Sequence, residues 1–137
     1  MKRAATNIVW LKRDIRSQDH DPLRKAEQAG IPYRIIFLFE PSIIGYPDTS
    51  LRHLQFVYQS LLSLNKTLST FNRGVDIFYG EATAVFSYLY ETFDIKNLFS
   101  YRESGTQITW KRDKSIKSSC RSLQINWEES QRDGILR

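Results

Sequence analysis

Tyr33-Arg34-Ile35-Ile36-Phe37-Leu38-Phe39 is the stretch that decides the fold. After Arg34 every residue is apolar, with Gly30 and Pro32 ahead of the run and Pro41 behind it. The run is too short for a buried helix and rich in β-branched and aromatic residues, so it reads as a strand covered on both faces. Strands of that kind belong to parallel sheets held between two helical layers, and this one is expected at the centre of its sheet.

Working outward, Ile8-Val9-Trp10-Leu11 is a shorter run of the same kind and reads as a strand ahead of it. Between the two, Asp21-Pro22 predicts a helix start with proline in the first turn, and Leu23 to Ala29 continue the helix until Gly30 and Pro32 close it. Downstream, the turn residues of positions 41–50 predict a loop, with a helix cap near Ser50. Leu54, Val57, Tyr58, Leu61, Leu64 and Leu68 then recur at three- and four-residue steps, the spacing of one apolar helix face, and Asn72-Arg73-Gly74 ends it. Val75 to Tyr79 predicts a third strand, and Thr83 the cap of a helix with Val85, Phe86, Leu89 and Phe93 inward. Ile95 to Tyr101 predicts a fourth strand, Thr106 to Leu123 a polar helix and Gln124 to Trp127 a fifth strand. Strand and helix alternating with connections too long for hairpins predict an α/β, Rossmann-like three-layer domain: a five-stranded parallel sheet flanked by helices over residues 1–137. Ligands of such sheets sit at the carboxyl ends of the strands, which points to the loops after Leu11, Phe39, Tyr79, Tyr101 and Trp127.

Composition narrows the function classes. A chain of 137 residues, 41% of them apolar, can bury a core without covalent staples, and a single cysteine, Cys120, rules out an intramolecular disulfide. That cysteine usage fits a reducing compartment, and no apolar leader follows Met1-Lys2-Arg3, so a cytoplasmic location is expected. The longest apolar run is far below the roughly 20 residues of a membrane span, so no membrane partner is expected. A net charge of +5 permits contact with polyanions without demanding it, and a solvated basic exterior is the favoured explanation.

The densest polar cluster runs from Lys12 to Asp21, directly after the first strand. Asp19, His20 and Asp21 are consecutive and converge poorly on one ion, so no metal site is expected; pairing of Asp14 with an arginine and capping by Asp19 or Asp21 account for the acids. Neither a Gly-x-Gly-x-x-Gly turn after the first strand nor a P-loop occurs. His53 has no nucleophile serine in a Gly-x-Ser-x-Gly turn, so no catalytic residue is assigned. Trp10, Trp110 and Trp127 read as core or interface residues rather than a redox relay or a base-stacking platform.

Trp10-Leu11-Lys12-Arg13-Asp14-Ile15-Arg16-x-x-Asp19-His20-x-Pro22-Leu23 resembles the Trp-Phe-Arg-x-Asp-Leu-Arg-x-x-Asp-Asn-x-x-Leu opening of the DNA photolyase and cryptochrome family. Phe37-x-Phe39-Glu40-Pro41-Ser42 is similar to that family's second strand and the Asp/Glu-Pro after it. Ser50-x-Arg52-x-x-x-Phe56-x-x-x-Ser60-Leu61-x-x-Leu64-Asn65-x-x-Leu68 resembles its long helix, and Glu103 with Arg112-Asp113 resembles the residues after its fourth strand. Together these matches cover nearly the whole chain in order.

The resemblance implies the amino-terminal domain of a deoxyribodipyrimidine photolyase, a lyase that repairs pyrimidine dimers with blue light. Such a domain holds an antenna chromophore, a deazaflavin, a reduced folate or a flavin. It further implies that the catalytic FAD and the DNA surface lie in a helical domain outside these residues, so that this chain alone is not catalytic and contacts DNA only weakly. The same domain of a cryptochrome photoreceptor is the first alternative, and a free-standing nucleotide-binding module the second. A face that meets the helical domain would be exposed here and drive self-association. Position by position, Arg13 matches an arginine against the antenna, Phe39, Glu40 and Arg52 match positions around the same cleft, and Glu103 matches an acid that contacts the ring. Deazaflavin-binding relatives have Asn-x-Asp-x-Glu where this chain has Phe99-Ser100-Tyr101-Arg102-Glu103, so Tyr101 stands in an aspartate position and either fills the cleft or stacks on a different ring. From the residues alone, Phe39, Tyr101, Arg13 and Glu103 could supply an apolar wall with fixed polar groups. Ion pairs of Arg13 with Asp14, and of Arg52 with Glu40 or Glu103, would instead tie loops together.

Overall fold

A computed structural model of the chain describes residues 3–12, 20–44, 51–102 and 107–131. Five strands, β1 (Ala5–Leu11), β2 (Tyr33–Phe39), β3 (Val75–Tyr79), β4 (Asp94–Tyr101) and β5 (Asn126–Ser130), form one parallel sheet in the order β3-β2-β1-β4-β5. The helices are α1 (Asp21–Gln28), α2 (Pro41–Ile44), α3 (Leu51–Ser69), α4 (Ala82–Thr92) and α5 (Gln107–Ser122). The α/β, Rossmann-like class expected from the sequence is thus observed. The middle strand is β1, however, with β2 beside it: both are covered on two faces, and only the pairing distinguishes them.

Alternation along the strands sorts the core into two layers. Ile8, Trp10, Ile36, Leu38, Ile95 and Leu98 face Val85, Phe86 and Leu89 of α4 and Ile116 and Cys120 of α5. Val9, Leu11, Ile35, Phe37, Val75 and Phe99 face Ala26 of α1 and Leu61, Leu64 and Leu68 of α3. Each large apolar side chain so buried contributes about 1.5–3 kcal/mol.

One irregularity has a local cause. Thr6 lies opposite Ile95 but Ile8 opposite Leu98, so β4 carries an extra residue there, which is how Ile95 and Leu98 reach the same face. The bulged ladder is held by the buried Asn7, whose Oδ1 accepts from the Asn97 backbone N–H at 3.0 Å and from its Nδ2 at 3.1 Å.

Several expected boundaries change. The α1 cap is neither Asp19 nor Asp21 but His20, whose Nδ1 accepts from the Leu23 N–H at 3.1 Å. Positions 41–44 of the expected loop form the short α2, while 45–50 lie outside the described residues. Glu81, not Thr83, precedes α4, and its carboxylate accepts from the Ser42 backbone N–H and hydroxyl rather than capping its own helix. The last strand begins at Asn126 instead of Gln124, because Gln124 adopts the left-handed conformation at φ 59° and the Ile125 N–H turns back to the Cys120 carbonyl.

Candidate functional site at the carboxyl ends of the strands

The strand order reverses between β1 and β4, and sheets of this kind take their ligands at the carboxyl ends of the strands beside that point. Lys12 follows β1 directly, yet its side chain is only 3% exposed. Its Nζ lies 3.0 Å from Asp113 Oδ2 and 4.4 Å from the centre of the Trp10 ring. Arg112, next to Asp113 in α5, donates from Nε to Asp113 Oδ1 at 3.0 Å and from Nη1 to Glu40 Oε1 at 2.8 Å. The Arg112 and Glu40 side chains are 9% and 6% exposed. The guanidinium carbon lies 4.9 Å from the Trp10 ring, and Trp127, 5.8 Å from Trp10, donates from Nε1 to Ser100 Oγ at 3.0 Å.

Two cations and two carboxylates are therefore sealed against an indole pair. Desolvating four charges is costly, and here it is offset by short charge-assisted hydrogen bonds and by the negative faces of the tryptophans. Mechanically, the cluster ties the segments after β1 and β2 to the helix after β4. It is a fixed, buried polar layer at the carboxyl end of β1.

A second knot closes the side next to α1. Tyr101, at the end of β4, is buried; its hydroxyl accepts from the Asp21 backbone N–H at 3.0 Å, and its ring meets His20 edge-on at 5.0 Å. Asp21 Oδ2 accepts from the Ser130 hydroxyl at 2.6 Å, and Lys25 Nζ approaches to 3.6 Å. The Ser130 hydrogen bond, then Arg24 and Lys25, hold the Asp21 carboxyl below its usual range against the opposing effect of burial.

The sequence-predicted site residues divide. Phe39 is half-buried at the end of β2, 5.0 Å from Phe37 and edge-on to it. Glu40 is buried beside Phe39 and meets Arg112. Arg52 is exposed in the first turn of α3. Tyr101 is packed beneath α1, and Arg13 and Glu103 lie outside the described residues. Sequence reasoning did not find Lys12, nor the meeting of Arg112 with Glu40. Its available signal was a lysine abutting an apolar strand and an Arg-Asp pair on the side of α5 that carries Ile116 and Cys120.

A parallel sheet with this strand order and helices on both faces defines the class of doubly wound, Rossmann-like α/β domains. Within it the chain belongs to the DNA photolyase family, whose model matches residues 7–136. Cryptochrome-1 of Drosophila melanogaster is 27% identical over 136 residues, covering 94% of this chain and 25% of that protein. A Synechocystis cryptochrome structure superposes with a TM-score of 0.83 at 22% identity, over 94% of this chain and 28% of the other. An archaeal photolyase of Sulfolobus tokodaii, solved with two FAD molecules, gives 0.81 at 24% identity, over 92% and 29%. The chain spans about a quarter of the length of the curated relatives it matches.

Proposed function

We propose that this chain is the light-harvesting-cofactor domain of a photolyase-type flavoprotein whose parent activity is light-driven reversal of pyrimidine dimers. The observation that carries the reading is the sealed cluster of Lys12, Glu40, Arg112 and Asp113, set where the strand order reverses. A rigid polar layer at that position suits an aromatic ring that must be held in one orientation. Phe39 offers a half-buried aromatic wall and Arg52 an exposed cation, which fit a flavin, deazaflavin or folate ring. Glu40 and Tyr101 are already engaged and act from beneath as positioning residues. Arg13 and Glu103 complete the proposed contact set. When bound, the chromophore supplies absorption of light and passes the excitation on. The Sulfolobus protein's two FAD molecules, described as implying a novel light-harvesting cofactor, favour a flavin as the first ligand to try. A second reading, the same domain in a cryptochrome photoreceptor, is favoured by the match to the Drosophila protein.

The test is a fluorescence titration of the chain with FAD, FMN, a deazaflavin and a reduced folate, repeated with Arg13→Ala, Arg52→Ala and Glu103→Ala. Saturable binding of one of them, weakened by the substitutions, supports the reading. If none binds while ATP alone raises the melting temperature, the chain is a nucleotide module and the proposal fails.

A further inference from the structure

The exposed side of α5 carries cations and no carboxylate. At 100° per residue, Trp110, Lys111, Lys114, Lys117, Ser118 and Arg121 fall within an arc of about 120°, opposite Thr109, Asp113, Ile116 and Cys120, which are buried. Trp110 is 60% exposed, with Lys114 Nζ 5.0 Å from its ring centre. The acids near this stripe are already committed. Asp113 is turned inward onto Lys12 and Arg112, Glu129 of β5 holds Lys117 at 3.0 Å, and Glu128 lies 3.6 Å from Lys25. Among the described residues no carboxylate pairs with Lys111, Lys114 or Arg121, which span about 15 Å along the helix.

We infer that this face of α5 is a contact surface for single-stranded nucleic acid, with Lys111, Lys114 and Arg121 on phosphates of one strand and the Trp110 indole stacked on a base. Three cations on one helix face, none paired with a carboxylate among the described residues, give charge complementarity to a polyanion. A large aromatic left in water at the amino-terminal end of the row is a sequence-tolerant stacking platform, for which a single strand has bases free and a duplex does not. An anionic membrane fits less well, because the apolar side of α5 is used up against the sheet and only one indole remains to insert. The inference does not depend on the chromophore site, and it assigns this domain a nucleic-acid contact stronger than the family resemblance implies.

The experiment measures anisotropy of a fluorescent twelve-nucleotide oligodeoxythymidylate with the full chain. Lys114→Glu and Trp110→Ala are each expected to weaken binding about tenfold. Lys66→Glu, the same charge change on the exposed side of α3, is expected to weaken it less than about twofold. Three phosphate contacts give a log–log salt slope of about −2, or about a fifteenfold loss between 50 and 200 mM salt. On a duplex of the same length Trp110→Ala should have little effect. Equal losses with Lys114→Glu and Lys66→Glu overturn the inference in favour of diffuse charge. Absence of oligonucleotide binding overturns it outright, and binding to phosphatidylserine vesicles alone replaces it with a lipid surface.

Discussion

Replacing Arg112 by methionine, which keeps much of the side-chain volume, removes the guanidinium that joins Glu40 to Asp113. Both carboxylates stay where the fold puts them, with Glu40 only 6% exposed, so little solvent can take the place of the lost hydrogen bonds. Breaking a buried pair from one side typically costs about 3–5 kcal/mol. Unfolding 137 residues carries an entropy near 0.3 kcal/mol per degree, so the melting temperature should fall by about 10–17 °C. Glu40→Gln alone should also destabilise, because a neutral amide answers the guanidinium less well. The double variant should then be more stable than the sum of the two losses predicts, by about 2 kcal/mol, since it no longer buries an unmatched charge. Urea or thermal denaturation followed by far-UV circular dichroism on the four proteins completes the cycle. A loss below about 1 kcal/mol for Arg112→Met, or strict additivity, would refute the view that this cluster is a closed ionic network.

Ser130→Ala removes the hydroxyl that most depresses the Asp21 carboxyl, and Asp21 is about one-third exposed, so the loss should be a screened ~1 kcal/mol at pH 7. A carboxylate whose folded pKa lies below its unfolded value stabilises above the unfolded value, near 3.9, and that contribution fades as pH falls. The gap in melting temperature between wild type and Ser130→Ala should therefore narrow as pH falls below about 3.9, and a constant gap down to pH 2 would contradict the assignment. His20→Ala should cost about 1 kcal/mol while His20→Asn, which keeps a capping acceptor, should cost much less; equal losses would show that the ring's contact with Tyr101 matters more than the cap. Burial pushes the Cys120 thiol up, so a thiol reagent at pH 7.5 should label native protein far more slowly than protein in urea, and comparable rates would place Cys120 outside the core. Phe56, Phe71 and Tyr79 are largely exposed, which predicts concentration-dependent self-association in sedimentation; a coefficient unchanged up to high concentration would show that these side chains are inert.

Much of this molecule is legible in one dimension. Runs such as 33–39 and 75–79 appear as strands at the expected residues because period and β-branching are local properties. The long α3 follows from an apolar stripe that only a helix gathers onto one face. Errors fall where a side chain leaves its own segment. Glu81 leaves α4 uncapped to reach Ser42, and the start of β5 is delayed by the left-handed Gln124. Trp10 and Trp127 take the packed roles that their type suggests, but Trp110 belongs to no core, since its place on α5 faces water.

The candidate site shows the division most clearly. Alternating strand and helix determined a parallel sheet with a ligand edge, and the spaced residues of the opening segment carried the family resemblance. What the sequence could not contain is that Lys12, Glu40 and Arg112, with up to a hundred residues between them, close on one another against Trp10. Periodicity is written by neighbours a few residues apart. A buried ion pair exists only once strand order and crossovers bring distant segments together, so it was the tertiary structure alone that turned a set of charged residues into one buried ionic cluster.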